Sequence, residues 1–188
     1  MLLINKMRLK KDDIPLKDRW RFNTFEVMKY NPKLRNSEGH FMKKEWTGFD
    51  IGKIIDGVEL TYQDYKLVED NYILAFKYLF NYFECDRIQI SEKTFYLGKK
   101  KIHRLLDQEL EKFYTQLNRR RTLNIDEAQM AARLILRSAM YGRLYCKGNK
   151  ELGVRFGYDY YMYFNVPEKN KKEIRNYIES EIGLFTTR

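Results

Sequence analysis

The stretch Tyr141 to Asn165, YGRLYCKGNKELGVRFGYDYYMYFN, carries the strongest local signal in the chain. Tyr141 to Lys147 and Leu152 to Phe164 are rich in aromatic and β-favouring residues, and Gly148-Asn149 lies between them, so the stretch reads as a β-hairpin. The second arm alternates with period two. Val154, Phe156, Tyr158, Tyr160, Met162 and Phe164 fall on one face, while Arg155, Gly157, Asp159, Tyr161 and Tyr163 fall on the other. Successive side chains of a strand point to opposite sides, so the pattern predicts one long, half-buried strand. Gly157 marks a candidate bulge or bend within it.

Helical spacing organises most of the rest. Tyr62 to Phe83 repeats apolar residues at Tyr65, Val68, Tyr72, Ala75, Phe76, Leu79 and Phe83, and Thr61 with Asp64 resembles a capping box. Its second half is apolar almost all round, which predicts a helix at the centre of the fold. A short strand is expected at Arg87 to Ile90. A second helix is expected from Lys100 to Leu117, and a third after Leu123, capped by Asn124 or Asp126 and carrying the small-residue face Ala128, Ala131, Ala132 and Ala139. Pro167 fits the start of a last helix and Gly183 its end. Before these elements, Trp20 to Met28 is a candidate strand with Trp20, Phe22, Thr24 and Glu26 in alternation. Asn31 to Phe41 reads as an ordered loop or a pair of turns, and Asp56-Gly57 as a further turn. The expected fold is therefore α+β, one domain over 1–188. It consists of a central helical bundle, a small antiparallel sheet built on the hairpin near 141–165, and a closing C-terminal helix.

Charge and composition narrow the partners without naming a reaction. The net charge is +10, and the segment Lys93 to Arg121 holds nine basic residues against three acidic ones. Lys99, Lys100, Lys101, Arg104, Arg119, Arg120 and Arg121 could form a nucleic-acid patch. The arginines equally complement the dipole at the end of the second helix. Cys85 and Cys146 are the two cysteines, too few for a disulfide scaffold, and the simplest expectation is a reduced, cytoplasmic protein without secretory signal or membrane span. Cys146 is expected in the core.

Catalytic signatures are not evident. His40 and His103 are the two histidines and neither has a ligand partner at metal spacing, so no metal and no cofactor is expected. Gly98-Lys99-Lys100-Lys101 lacks the spacing of a phosphate loop, and no nucleophile elbow is present. These readings point away from an enzyme. The 15 tyrosines suit cores and interfaces alike. The odd hairpin face, with Arg155, Tyr161 and Tyr163, is a candidate for stacking bases or for anchoring a protein partner.

Asn31-Pro32, Arg35-Asn36, Gly39-His40-Phe41, Glu45-Trp46-Thr47, Asp50-Ile51-Gly52 and Phe156 to Tyr163, FGYDYYMY, together resemble immunity proteins of bacterial contact-dependent growth inhibition systems. The similarity spans about Asn31 to Phe164. It implies a cytosolic protein that binds a cognate toxin domain one-to-one, often a nuclease, and occludes its active site. The partner-binding candidates are then Arg155, Tyr161 and Tyr163 on the hairpin and His40 and Trp46 in the loop. A net charge of +10 departs from the acidic balance common in inhibitors of basic nucleases. The alternative is an RNA- or DNA-binding protein using the basic segment.

Overall fold

The computed structural model describes residues 24–96, 106–118, 120 and 122–187. Its organising element is a seven-stranded antiparallel sheet of order β5-β4-β6-β7-β8-β1-β9. The strands are β1 (Thr24–Met28), β4 (Ile88–Phe95), β5 (Thr122–Leu123), β6 (Met140–Cys146), β7 (Asn149–Phe156), β8 (Met162–Asn165) and β9 (Phe185–Thr186). A separate ribbon pairs β2 (Ile54–Ile55) with β3 (Val58–Glu59) across the Asp56-Gly57 turn, where both residues have positive φ. This corrects the expected helical bundle with a small sheet, because the sheet is the larger layer.

The correction has a physical origin. Val154 and Phe156 pair with Phe164 and Met162, so the single long strand expected over Leu152 to Phe164 is two strands joined by a tight turn. Asp159 and Tyr160 adopt left-handed φ of 55° and 63°, and the Tyr161 amide donates to the Tyr158 carbonyl. Tyr158, placed by the alternation on the same face as Val154 and Phe156, is instead 93% exposed at that turn. β4 also runs five residues beyond the expected Ile90. It does so through a bulge at Glu92-Lys93, with Glu92 at φ 53°. β1 lies between β8 and β9, and the two-residue strands β5 and β9 form the edges of the sheet.

One apolar row crosses five strands: Ile90, Leu144, Val154, Phe164 and Phe25 are successive partners and all are buried. Each such side chain contributes about 1.5–3 kcal/mol by leaving water. The helices cover this side. α1 (Tyr62–Tyr82) is capped by Thr61 and buries Tyr65, Tyr72, Phe76, Leu79 and Phe80. α2 is Gln108–Leu117, capped by Asp107 at the point where the expected helix was already two turns old. α3 (Ile125–Leu136) begins with a full capping box between Asn124 and Glu127, and its buried Ala128, Ala131 and Ala132 permit close packing on α1. α4 (Glu168–Tyr177) follows Pro167, passes into a π-helical turn over Ile178–Ile182 and ends at Gly183, φ 77°.

Cys85 and Cys146 form a disulfide, Cα to Cα 5.9 Å, tying the end of α1 to the end of β6. The expectation of two reduced cysteines is corrected by that bond. Among the described residues no helix is long and apolar enough to cross a membrane.

Candidate binding face on the open side of the sheet

The sheet side away from the helices is built by the same register that builds the core. Ser91, Arg143, Arg155, Tyr163 and Glu26 are successive cross-strand partners, one residue out of step with the apolar row and therefore on the opposite face. One glycine lets an aromatic ring lie down on this face: a Cβ at Gly157 would stand 2.5 Å from Cε2 of Tyr163. Gly153 instead admits the neighbouring backbone, since a Cβ there would stand 2.6 Å from the Leu144 carbonyl oxygen. Gly157 was expected as a bulge or bend; its use is to give Tyr163 room.

The three hairpin candidates come together here. The Arg155 guanidinium lies 4.4 Å from the centre of the Tyr163 ring, and the Tyr161 and Tyr163 rings stack at 6.4 Å. Arg35 joins them from the loop before α1: it donates to the Tyr161 hydroxyl at 3.0 Å and to the Gly39 carbonyl at 2.9 Å, with its guanidinium over Phe41. On the other flank Arg143 pairs with Glu92 at 2.9 Å. An open cleft of about 800 Å³ runs past Tyr96, Tyr141, Arg155, Tyr158, Tyr161 and Tyr163. A smaller one of about 550 Å³ lies between Arg35, Arg155, Tyr163 and Glu26. Burial pushes the Tyr161 and Tyr163 hydroxyls up, and Glu26 adds to this while Arg35 and Arg155 oppose it. Both remain protonated hydroxyls at neutral pH.

Neither loop candidate lines these clefts. The His40 side chain is 78% exposed, with Nδ1 3.5 Å from Glu38, and its amide is held by the Asn36 side chain. Trp46 turns inward instead. Its ring packs on Tyr65 and Tyr160, Lys29 lies 4.2 Å above it, and its carbonyl is 3.1 Å from the Tyr30 hydroxyl. Trp46 therefore anchors the loop, and the segment is ordered because its rings fold back on the core.

Within the basic segment, Lys99, Lys100, Lys101, Arg104, Arg119 and Arg121, together with His103, lie outside the described residues. Two basic residues that are described are engaged. Lys93 donates to the carbonyls of Leu117, Asn118 and Arg120 at 2.8, 2.9 and 2.6 Å, satisfying the open end of α2. Arg120 pairs with Glu127 and reaches Gln116.

A buried ionic cluster was missed from sequence. Glu69, fully buried on α1, accepts from Arg137 Nε and Nη2 at 2.7 and 2.8 Å and from Arg133 Nη1 at 2.7 Å. Tyr160 donates to Tyr65, which donates to Glu69, so the cluster runs from the helices to the turn beneath the open face. Burial works to lower the Arg137 pKa, but the bonds and charge of Glu69 outweigh it and hold the guanidinium charged. The residue pattern had a trace of this: Glu69 sits four residues after Tyr65 and three before Tyr72, inside the apolar stripe. Among the described residues no group of three metal-ligating side chains is present.

The phrases that carry the resemblance, remote in sequence, are neighbours in space. Arg35 bonds Tyr161 across 126 positions, Trp46 packs on Tyr160, and Tyr30 beside Asn31 reaches the Asp159 carbonyl at 2.7 Å. No protein-family model, no curated protein and no solved structure matches this chain.

Proposed function

We propose that this chain is a protein-binding module, an immunity protein that neutralises a cognate toxin domain, such as a nuclease, by covering its active site in a one-to-one complex. The observation that carries the reading is the open sheet face, where Tyr141, Arg143, Arg155, Tyr161 and Tyr163 share one surface with Glu26 and Glu92. Tyrosine and arginine are the usual anchors of protein interfaces, since they bury large area at low entropy cost. The interleaved carboxylates matter as much. A continuous phosphate chain laid on this face would meet them as like charges, whereas a protein surface of mixed sign can match them. The spatial union of the Asn31 to Thr47 phrases with Phe156 to Tyr163 supports a shared role for these segments.

The test is capture followed by inhibition. The tagged chain, expressed in the organism that encodes it, is washed with nuclease and high salt, and the retained protein is assayed for toxicity with and without added chain. The expected result is a stoichiometric partner whose activity is abolished at one equivalent, and its loss when Arg143, Arg155, Tyr161 and Tyr163 are together replaced by alanine with the fold retained. Loss of all partners along with nucleic acid would overturn the reading in favour of the basic segment, as would an unchanged complex with the fourfold variant.

A further inference from the structure

Among the described residues, Arg155 is the guanidinium of the open face whose electrostatic needs are left unmet. Its neighbours are satisfied: Arg143 by Glu92, Arg35 by the Gly39 carbonyl and the Tyr161 hydroxyl. Arg155 has no ion pair among the described residues, and its Nε is shut from solvent with no acceptor. An orphaned buried donor is destabilising, and more so when it is charged. The register explains why Glu26 does not fill the role. Tyr163 is the direct partner of both Arg155 and Glu26 and stands between them, and Glu26 Oε2 accepts from the Thr187 hydroxyl at 2.9 Å.

The smaller cleft opens beside this group. It is lined by Arg35 and Arg155 as cations, Glu26 as anion, and Thr24, Tyr163 and Thr187 as polar neighbours. Two positive charges against one negative leave a formal +1, which a single carboxylate neutralises. Arg35 is fixed in place by its two bonds and by Phe41, so it acts as a stationary charge. Among the described residues the Arg155 guanidinium is held by its stack on Tyr163, so its planar fork can turn to meet a ligand.

We propose that this cleft is a carboxylate-recognition subsite, in which an acidic side chain of the protein partner enters beside the Tyr163 ring, between Arg35 and Arg155, and accepts N–H bonds from Arg155. The assignment rests on the protein-binding reading above and names the chemistry of its central contact. It also gives a use to a basic inhibitor: the partner presents an acidic group where this chain presents its unmatched arginine. The positive charge of the face is then spent on one oriented contact.

The subsite can be tested without the partner. The Arg155 Nε proton, shielded from water, exchanges slowly enough to be followed by NMR, and the wild-type chain is titrated with glutarate and, separately, with inorganic phosphate. The expected result is a saturable shift of that proton and of the Tyr163 ring signals with glutarate, at lower concentration than with phosphate. No saturation with either anion, or tighter binding of phosphate, overturns the proposal. In the second arm, Arg155→Lys keeps the charge but loses the fork, and it is expected to weaken the captured complex at least about tenfold through faster dissociation. Unchanged affinity in a folded Arg155→Lys chain overturns the central contact. A saturable glutarate shift in a chain that captures no protein would leave the subsite standing while removing the immunity role.

Discussion

Glu69 is the residue on which the interior depends most. Its two oxygens receive three guanidinium bonds and one tyrosine hydroxyl at zero exposure, and it is the leading partner that holds the buried Arg137 charged. Removing one member of a buried ion pair leaves the other charged in a medium that cannot solvate it, at a cost of about 3–5 kcal/mol. Glu69→Gln, nearly isosteric, is therefore expected to lower the unfolding free energy by that amount, read as a lower denaturation midpoint with an unchanged denaturant slope; a loss under about 1 kcal/mol would show the cluster to be dispensable. Single residues were legible from sequence where their partner is local. Thr61, Asn124 and Gly183 act within one helical turn and stand where the pattern put them. Glu69 and Arg137 pair across 68 positions, and the Trp46 ring packs on Tyr160, which is far away in sequence, as well as on Tyr65. No local signal encodes such contacts.

At the scale of elements the helices were easier to read than the sheet, for a reason built into strand geometry. Phe156 and Met162 are cross-strand partners separated by an even number of residues, so a period-two pattern continues unbroken whether the chain runs straight or turns back. The alternation of residues 154–164 thus gave the correct face for Arg155, Tyr161 and Tyr163 while hiding the turn that makes β7 and β8 separate strands. The two-residue edges β5 and β9 are too short to show any period. The disulfide was equally invisible, because two cysteines 61 positions apart are brought together only once β6 pairs with β4. Its closure of a loop that long stabilises the chain by about 4 kcal/mol in the chain-entropy account. Replacing both cysteines by serine is expected to lower the melting temperature by about 8–16 degrees, and a dithiol reductant should reproduce most of that change in the wild type. Equal melting temperatures for the oxidised and reduced chains would show that the bond holds nothing the sheet does not already hold.

Across the whole molecule, tyrosine connects the core to the open face. Tyr72 donates to the Tyr160 carbonyl and accepts from the Lys29 amide, Tyr160 donates to Tyr65, and Tyr30 reaches the turn at Asp159 while its ring lies 5.6 Å from that of Tyr161. Burial is the leading cause that raises the pKa of Tyr30, Tyr65, Tyr72 and Tyr160. The sign of the consequence is fixed. Below about pH 10, the value in an unfolded chain, both states keep these protons and the full stability is present. Above it the unfolded state releases them and the folded state does not, so each tyrosine subtracts about 1.4 kcal/mol per pH unit until its own folded value is reached. Lys29, whose pKa burial lowers despite Glu45, works in the opposite direction, but it is one group against four. With a total stability of about 5–15 kcal/mol, the chain is expected to unfold cooperatively within a few units above pH 10. Tyrosinate absorbance should therefore rise in two stages. The late stage belongs to Tyr30, Tyr65, Tyr72 and Tyr160, and it coincides with loss of near-ultraviolet dichroism. Conversion of every tyrosine near pH 10 with the dichroism intact would mean that the chain of hydroxyls is open to water and does not couple the core to the binding face.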